Sequence, residues 1–308
     1  MTEITAAMVK ELREATSAGM LDCKKALAEN DGDMEKAVDW LRKKGLSSAA
    51  KKASRVAAEG LVSVLVKGNK GAIAEVNSET DFVAKNDTFQ EYACDAAIVA
   101  LEAGADLEKM KTFECPKVNK PFSERLSDMI AKIGENMNLR RAKVLEVSEG
   151  VVSAYVHNAA LPNAGKIGVL VALESKADQA KLAELGKQIA MHIAASQPLF
   201  LTINDVDANS VERERAIFTE QAKASGKPEN IIEKMVEGRI KKYFDEVVLE
   251  EQVFIMDNDK KVKDIVKDTA AKLGSDIKLK EFVCFRLGEG IEKKSEDFAA
   301  EVAAQLSK

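Results

Sequence analysis

Gly60-Leu61-Val62-Ser63-Val64-Leu65-Val66 and Gly150-Val151-Val152-Ser153-Ala154-Tyr155-Val156 are two copies of one apolar pattern, and this repeat decides the fold. Each copy leads through a polar turn into a second apolar run, at residues 72–76 and 167–173. Two such runs joined by a short polar segment predict a β-hairpin. A helical pattern follows each hairpin, at residues 89–102 and 180–195. The sequence therefore predicts an α+β fold whose core contains two related hairpin-plus-helix subdomains.

The first 45 residues show three short helical periods, which predict a compact three-helix module. Asp22 and Asp33 stand where N-caps are expected, and an Asp87-x-x-Gln90 box is expected to open the helix after the first hairpin. Gly32 and Gly45 stand where helices end in a left-handed residue. The basic, alanine-rich residues that follow, up to position 54, are typical of a solvated helical linker.

Further patterns extend the core. Apolar side chains at steps of three and four predict a helix over residues 122–133 that packs on the first hairpin. Residues 210–247 predict an antiparallel helical hairpin joined at Ser225-Gly226-Lys227-Pro228, with Ile232, Val236, Ile240, Tyr243 and Val247 along its second helix. A strand at 282–287 and a final amphipathic helix at 298–306 complete the chain. The hairpin either pairs with a second copy of the chain or caps the core, and composition does not decide between these.

These patterns divide the chain into six parts. They are the helical module and linker at 1–54, the first core subdomain at 55–147, the first part of the second subdomain at 148–209, the helical hairpin insertion at 210–247, the second part of that subdomain at 248–287, and a C-terminal module at 288–308.

Composition limits the classes of function. The 308 residues are 46% hydrophobic and 31% charged, as in an ordinary globular protein. The net charge of −5 arises from acidic and basic residues mixed along the chain, which favours a protein partner or small ligand over nucleic acid or a membrane. The chain starts without an apolar signal segment, and its longest apolar stretch, residues 167–173, is too short to span a bilayer. We therefore expect a cytoplasmic protein.

The sequence offers little basis for enzymatic chemistry, a cofactor or a metal. The four cysteines are far apart, and neither of the two histidines, His157 and His192, stands near one of them. Asn163-Ala164-Gly165-Lys166-Ile167 lacks the spacing and the hydroxyl of a phosphate-binding loop. His192 is interpreted as a packed helical residue. Two alternatives remain: an enzyme that uses Cys94 or Cys115 as a nucleophile, and a binding protein whose helical module recruits a different partner.

The two repeats differ most directly after their second strands. The first copy continues with Thr80-Asp81-Phe82-Val83, which places a large aromatic side chain in a polar segment, and the second copy lacks this feature. Thr80 or Asp81 would cap a short helix if Phe82 and Val83 pack under the hairpin. Alternatively, the segment is an exposed loop that binds a partner. The same choice applies to Met20 and Leu21 between the first two helices.

Four stretches of the sequence closely resemble the bacterial elongation factor Ts family, from Ile4 to the final helix. They are Val9-Lys10-Glu11-Leu12-Arg13 with Gly19-Met20-Leu21-Asp22-Cys23-Lys24-Lys25-Ala26-Leu27, Thr80-Asp81-Phe82-Val83-Ala84-Lys85, Lys132-Ile133-Gly134-Glu135-Asn136-Met137-Asn138-Leu139-Arg140-Arg141, and Gly288-Glu289-Gly290-Ile291-Glu292-Lys293. The resemblance implies a ubiquitin-associated-like N-terminal domain, a core of two related subdomains, an inserted coiled-coil hairpin and a C-terminal module.

The resemblance also implies a function that is not enzymatic. Such a protein binds elongation factor Tu in its GDP-bound and nucleotide-free states, loosens the magnesium and nucleotide, and lets GTP replace GDP. The loop of Thr80, Asp81, Phe82 and Val83 matches the family's segment that enters the partner near its magnesium site. The positions similar to other family contacts are Arg13, Met20, Ile133, Gly134 and His157. The segment after His157 departs from the family pattern, because Leu161-Pro162-Asn163 lengthens its turn.

Overall fold

The computed structural model describes residues 4–16, 18–115, 119–224 and 228–292. Within these ranges the chain forms both helices and a large sheet, which confirms the α+β class. The predicted helix at 298–306 lies outside the described residues.

Three helices form the N-terminal module: α1 (Ala6–Thr16), α2 (Met20–Glu29) and α3 (Met34–Lys52). Asp33 caps α3 as predicted, since its carboxylate accepts the amide of Lys36 at 3.1 Å. The prediction for Asp22 is wrong, because Gly19 is the N-cap of α2 and Asp22 instead forms an ion pair with Lys44.

The predicted helix end at Gly45 is also wrong. Helix α3 continues through the expected linker to Lys52. A Cβ atom at Gly45 would lie 3.8 Å from the Cβ of Ala131, so this part of α3 lies against the helix that contains Ala131. Tertiary packing on that helix, rather than local sequence, extends α3 past a glycine.

The core elements follow in chain order. The first half contains β1 (Glu59–Lys67), β2 (Lys70–Ser78), α4 (Asp87–Ala103), α5 (Leu107–Thr112), β3 (Glu114–Cys115), β4 (Lys120–Pro121), α6 (Phe122–Ile133) and β5 (Met137–Glu146). The second half contains β6 (Gly150–Leu161), β7 (Ala164–Glu174), α7 (Gln179–Ser196), α8 (Ala208–Lys223), α9 (Glu229–Val247), β8 (Val253–Phe254), β9 (Asp257–Lys261), α10 (Val262–Leu273) and β10 (Lys278–Arg286).

Both hairpins predicted from the repeat are present, β1 with β2 and β6 with β7. They share one six-stranded sheet in the order β10-β7-β1-β2-β5. Strands β10 and β1 pair with different parts of one edge of β7, and β6 pairs along its other edge. The halves join where Val62 and Ser63 of β1 pair with Gly165 and Ala164 of β7. The two copies of the repeat are thus continuous through backbone hydrogen bonds.

Alternate side chains of each hairpin lie in different layers. In the first hairpin, Leu61 packs towards α4 and α6, whereas Val62 packs into a central cluster. In the second, Val151 packs towards α7 and α10, whereas Val152 enters the same central cluster. The inner faces of the two hairpins therefore pack on each other, and the helices cover the outer faces.

Matching glycines permit this close packing. A Cβ atom at Gly71 would lie 2.6 Å from Cγ1 of Val152, and one at Gly168 would lie 2.7 Å from Cγ1 of Val62. Gly71 pairs with Val66 and Gly168 with Val156, so the glycines occupy equivalent places in the repeat. The contact between the copies is accordingly symmetric.

The segment after His157 extends strands rather than forming a long loop. Strands β6 and β7 run to Leu161 and from Ala164, with Pro162 and Asn163 as the turn. The Asn163 carbonyl accepts the amide of Val64 at 2.8 Å, and its side-chain oxygen lies 3.5 Å from Sγ of Cys94. The extra residues thus fasten the second hairpin to the first half.

Helices α8 and α9 pack as the predicted helical hairpin, and residues 225–227 between them lie outside the described residues. The small core of the hairpin includes Val236 and Ile240 as predicted, but Phe244 takes the place expected for Tyr243. In the described parts of the chain, no helix combines the length and apolar character needed to cross a membrane.

Candidate functional site

The segment from Thr80 to Val83 is a loop at the end of β2 with an exposed aromatic tip. The Phe82 side chain is 76% exposed, whereas Val83 is buried in the core of the first half. Residues 83–85 form one turn of 3₁₀-helix without a side-chain cap. Burial of Val83 turns the backbone so that Phe82 points outwards. The packed arrangement considered from the sequence therefore holds for Val83 but not for Phe82, and neither Thr80 nor Asp81 caps this turn.

A second loop holds the first in place. Glu135 accepts the Thr80 amide at 3.0 Å and the Thr80 hydroxyl at 2.8 Å. The Asn136 amide donates to the Glu79 carboxylate, and the Asn136 side chain donates to the Arg55 carbonyl at 2.7 Å. Bonds to charged groups are among the stronger hydrogen bonds in proteins. The loop is consequently a fixed projection of the core.

Asp81 and Lys85 flank the aromatic tip. The Asp81 carboxylate accepts a hydrogen bond from Lys85 at 3.0 Å, and that bond holds the pKa of Asp81 below its usual value. The Lys85 ammonium also lies 5.4 Å from the centre of the Phe82 ring. Asp81 is therefore ionised at neutral pH and has an internal partner that an approaching protein would have to displace.

The structure places Ile133 and Gly134 beside this loop. Ile133 is the last residue of α6 and is partly buried in the first core, and Gly134 follows it in the left-handed conformation with φ of 91°. Glu135, which binds Thr80, comes next. Two of the family-like stretches thus lie side by side.

Arg13 and Met20 lie on the N-terminal module, away from the loop in sequence and on other elements. Arg13 is exposed on α1, and Met20 and Leu21 are 60% and 83% exposed at the start of α2. Neither apolar side chain therefore staples its own module. The module is joined to the core through α3 and α6, where Arg42 forms an ion pair with Glu124.

His157 is exposed on β6. Its Nδ1 atom lies 3.1 Å from the Tyr155 hydroxyl, and the residue pairs with Ile167 on β7. Lys166, which precedes Ile167, forms an ion pair with Glu59 at 3.0 Å. Its positive charge also contributes to lowering the pKa of Asp81. His157 is therefore accessible, but it belongs to the second hairpin rather than to the loop.

Sequence reasoning missed Glu75, a fully buried carboxylate on β2. Its oxygens accept hydrogen bonds from the Gly288 amide and Asn77 at 2.9 Å, and from Arg140 and Arg141. Burial opposes its ionisation, but these donors outweigh burial and lower the pKa of Glu75. The sequence feature that could have pointed to Glu75 is the Arg140-Arg141 pair, since partly buried arginines need an acidic partner. The same pair interrupts the apolar alternation of β5, so that strand was not predicted either.

The groups considered for enzymatic chemistry have structural partners. His192 is buried against Gln252 at 2.9 Å, as expected of a packed residue. The Cys115 thiol is buried 3.0 Å from Arg125, and Cys94 contacts Asn163. Among the residues that the structure describes, no group of three or more histidine, cysteine or acidic side chains is arranged to hold a metal ion.

An exposed aromatic side chain on a loop that hydrogen bonds hold in place is typical of proteins that act by binding another protein. The comparisons then give the family. The family model described as elongation factor TS matches residues 79–289. The elongation factor Ts of Paramagnetospirillum magneticum is 59% identical over 305 residues, covering 99% of this chain and 98% of that protein.

Those of Rhodospirillum rubrum and Bradyrhizobium diazoefficiens are 57% and 56% identical, and each comparison covers 100% of both chains. The chain belongs to the elongation factor Ts family, a family of translation factors that promote nucleotide exchange.

Proposed function

We propose that this chain binds elongation factor Tu in its GDP-bound and nucleotide-free states and promotes GDP release by inserting the Thr80–Val83 loop near the partner's magnesium site. The observation that carries this proposal is the exposure of Phe82 on a loop that Glu135 and Asn136 hold in place. A side chain presented on a fixed projection loses little conformational entropy when it is buried by a partner.

An exchange factor makes no covalent bond, so its effect comes from binding the nucleotide-free partner more tightly than the nucleotide-bound one. Burial of Phe82 would contribute roughly 1.5 to 3 kcal/mol. A shift in occupancy from about 1:99 to 99:1 requires about 5.5 kcal/mol of differential binding. Burial of Phe82 alone therefore does not supply the differential binding free energy, and other contacts with the partner must contribute.

We assign these contacts to Arg13 and Met20 on the N-terminal module, to Ile133 and Gly134 beside the loop, to His157, and to the C-terminal module. Asp81 acts either by accepting a hydrogen bond from the partner or by repelling an acidic group that holds magnesium. We also propose that the N-terminal module is a ubiquitin-associated-like domain, that the core comprises the two related subdomains divided at residues 147 and 148, and that the 210–247 hairpin provides a contact between two copies of the chain.

Stopped-flow release of fluorescent GDP from elongation factor Tu tests the function. The unaltered chain should accelerate release, and Phe82→Ala should slow release at saturating factor by about tenfold or more while weakening complex formation much less. Leu199→Ala, another exposed apolar residue on the second half, is a matched control. Equal losses of rate and affinity in Phe82→Ala would contradict insertion and leave Phe82 as a binding anchor.

A further inference from the structure

In the two hairpins of the repeat, the acidic residue Glu75 of the first copy occupies the position that the small apolar residue Ala172 occupies in the second. Glu75 pairs with Val62 in the first hairpin, and Ala172 pairs with the matching Val152 in the second. An interior carboxylate is costly unless hydrogen bonds satisfy it, and Glu75 has donors on both oxygens. An alanine fills the equivalent place, so the fold of a hairpin does not itself require this charge.

What the carboxylate holds is the Gly288-Glu289-Gly290 turn at the end of β10. The Gly288 amide donates to Glu75 at 2.9 Å. Arg140, bound to the same carboxylate, also donates to the Glu289 carbonyl, and Arg141 donates to the Arg286 carbonyl at 2.9 Å. The two arginines thus bridge Glu75 and the turn.

The turn is also seated tightly against the start of β1. Gly288 has φ of 70°, and a Cβ atom there would lie 2.4 Å from the carbonyl oxygen of Ala58. Only glycine meets both conditions, because other residues are strained at this φ and would collide with the backbone. The turn therefore has one position on the core.

The strands that hold the turn also hold the Phe82 loop. Strand β2 carries Glu75 and ends at Ser78, directly before the loop, and β5 carries both arginines and begins directly after Asn136. The distance between the loop and the turn is consequently set by a single strand pair.

We propose that Glu75 is a positioning residue, whose buried carboxylate fixes the position of the Gly288–Gly290 turn, with which the C-terminal module begins, relative to Phe82. This role rests on the proposed function, in which the C-terminal module and the Phe82 loop bind one partner. Loss of the Glu75 carboxylate weakens binding of the partner, but Glu135 still holds the Phe82 loop in place.

Glu75→Gln tests the role, because its amide group presents a donor to the arginines and removes the charge. Two measurements are made on the full chain: hydrogen exchange at the Gly288 amide, and fluorescent GDP release from elongation factor Tu at increasing factor concentration. We expect faster Gly288 exchange and a rise of about tenfold in the concentration for half-maximal release, with the maximal rate within about twofold of the unaltered chain. Phe82→Ala should instead lower the maximal rate by about tenfold or more and change the half-maximal concentration much less.

Asp95→Asn is the matched control for lost stability. Asp95 is also a buried carboxylate, 2.9 Å from Arg125, but it lies on α4 rather than at the turn. This variant should leave Gly288 exchange and the half-maximal concentration unchanged. Gly288→Ala displaces the turn from the opposite side without altering the buried charge, and it should reproduce the effect of Glu75→Gln. Gly288→Ala decides the question if Glu75→Gln does not fold.

Three results would overturn the role of Glu75: unchanged Gly288 exchange, faster exchange with an unchanged half-maximal concentration, or a lowered maximal rate like that of Phe82→Ala. Failure of the proposed function itself would give a distinct result, in which the unaltered chain does not accelerate GDP release.

Discussion

At the residue scale, the burial of His192 links its protonation to the stability of the fold. The Ile255 amide donates to Nδ1 at 3.3 Å, so Nε2 carries the proton and donates to Gln252. Gln252 in turn donates to the carbonyls of Ser196 and Glu246. Burial lowers the pKa of His192 from its ordinary 6.5, although the bond to Gln252 partly opposes this. Protonation at Nδ1 would break the bond to Ile255.

We therefore expect the stability of the chain to fall as pH decreases through about 6.5, because the unfolded state then binds a proton that the folded state excludes. The contribution is fully present above this pH. Urea unfolding at pH 7.5 and 5.5 measures the difference, and His192→Gln should reduce it. His157→Gln is the control, since His157 is exposed. An equal reduction in both variants would argue against His192 as the source.

At the element scale, the start of α4 shows why the predicted capping box was wrong. The Asn86 side chain, rather than Asp87, accepts the amides of Thr88 and Phe89 at 3.0 and 3.3 Å. Gln90 donates instead to the Ala84 carbonyl at 3.1 Å, within the segment that follows Phe82. The helix therefore begins one residue earlier than the box implied, and its cap follows closely after Phe82.

Asn86→Ala should lower the free energy of unfolding by about 0.5 to 2 kcal/mol, as expected for loss of an N-cap. Asp87→Ala removes only a favourable charge in the first turn and should cost less. Urea titration of both variants checks this order. If Asp87→Ala proved the more damaging substitution, the assignment of Asn86 as the cap would be incorrect.

The hydrogen bonds between the Phe82 loop and the loop that contains Glu135 lead to a second prediction at this scale. Glu135→Ala removes the acceptor for both donors of Thr80 and should free the loop without altering Phe82 itself. We expect GDP release at saturating factor to slow several-fold, since positioned groups lose effectiveness when they become mobile. Glu184→Ala, a surface residue on α7, serves as the control. An unchanged rate would show that the loop does not need this support.

At the scale of the whole molecule, the contact between the two hairpins depends on the absence of side chains at Gly71 and Gly168. Gly168→Ala would place a methyl group 2.7 Å from Val62 and should destabilise the protein by about 1 to 3 kcal/mol through overpacking. Gly238→Ala in α9 meets no atom within 4 Å and should be neutral or gain about 0.5 to 1 kcal/mol from helix propensity. Urea unfolding that ranked them in reverse order would contradict this packing.

Apolar periodicity predicted the helices and strands whose formation depends on residues close together in sequence. The hairpin repeat, α6 and the α8–α9 pair were expected because each buries a regular apolar face. Strand β5 and Glu75 were not, since the charges of Arg140 and Arg141 are compensated by carboxylates distant in sequence, Glu75 and Glu289. Likewise Gly45 does not end α3, because contact with α6 outweighs a local preference. For the site, the difference between repeats indicated the segment but not which side chain is exposed.

The sequence by itself determined the α+β class, the two hairpins and the segment of Thr80, Asp81, Phe82 and Val83, because apolar periodicity and the repeat depend on order along the chain. Only the tertiary structure decided that Val83 is buried and Phe82 exposed, that Glu135 binds Thr80, and that Glu75 binds the Gly288 amide. Burial and the pairing of charges depend on distances between residues far apart in sequence, which local patterns do not contain.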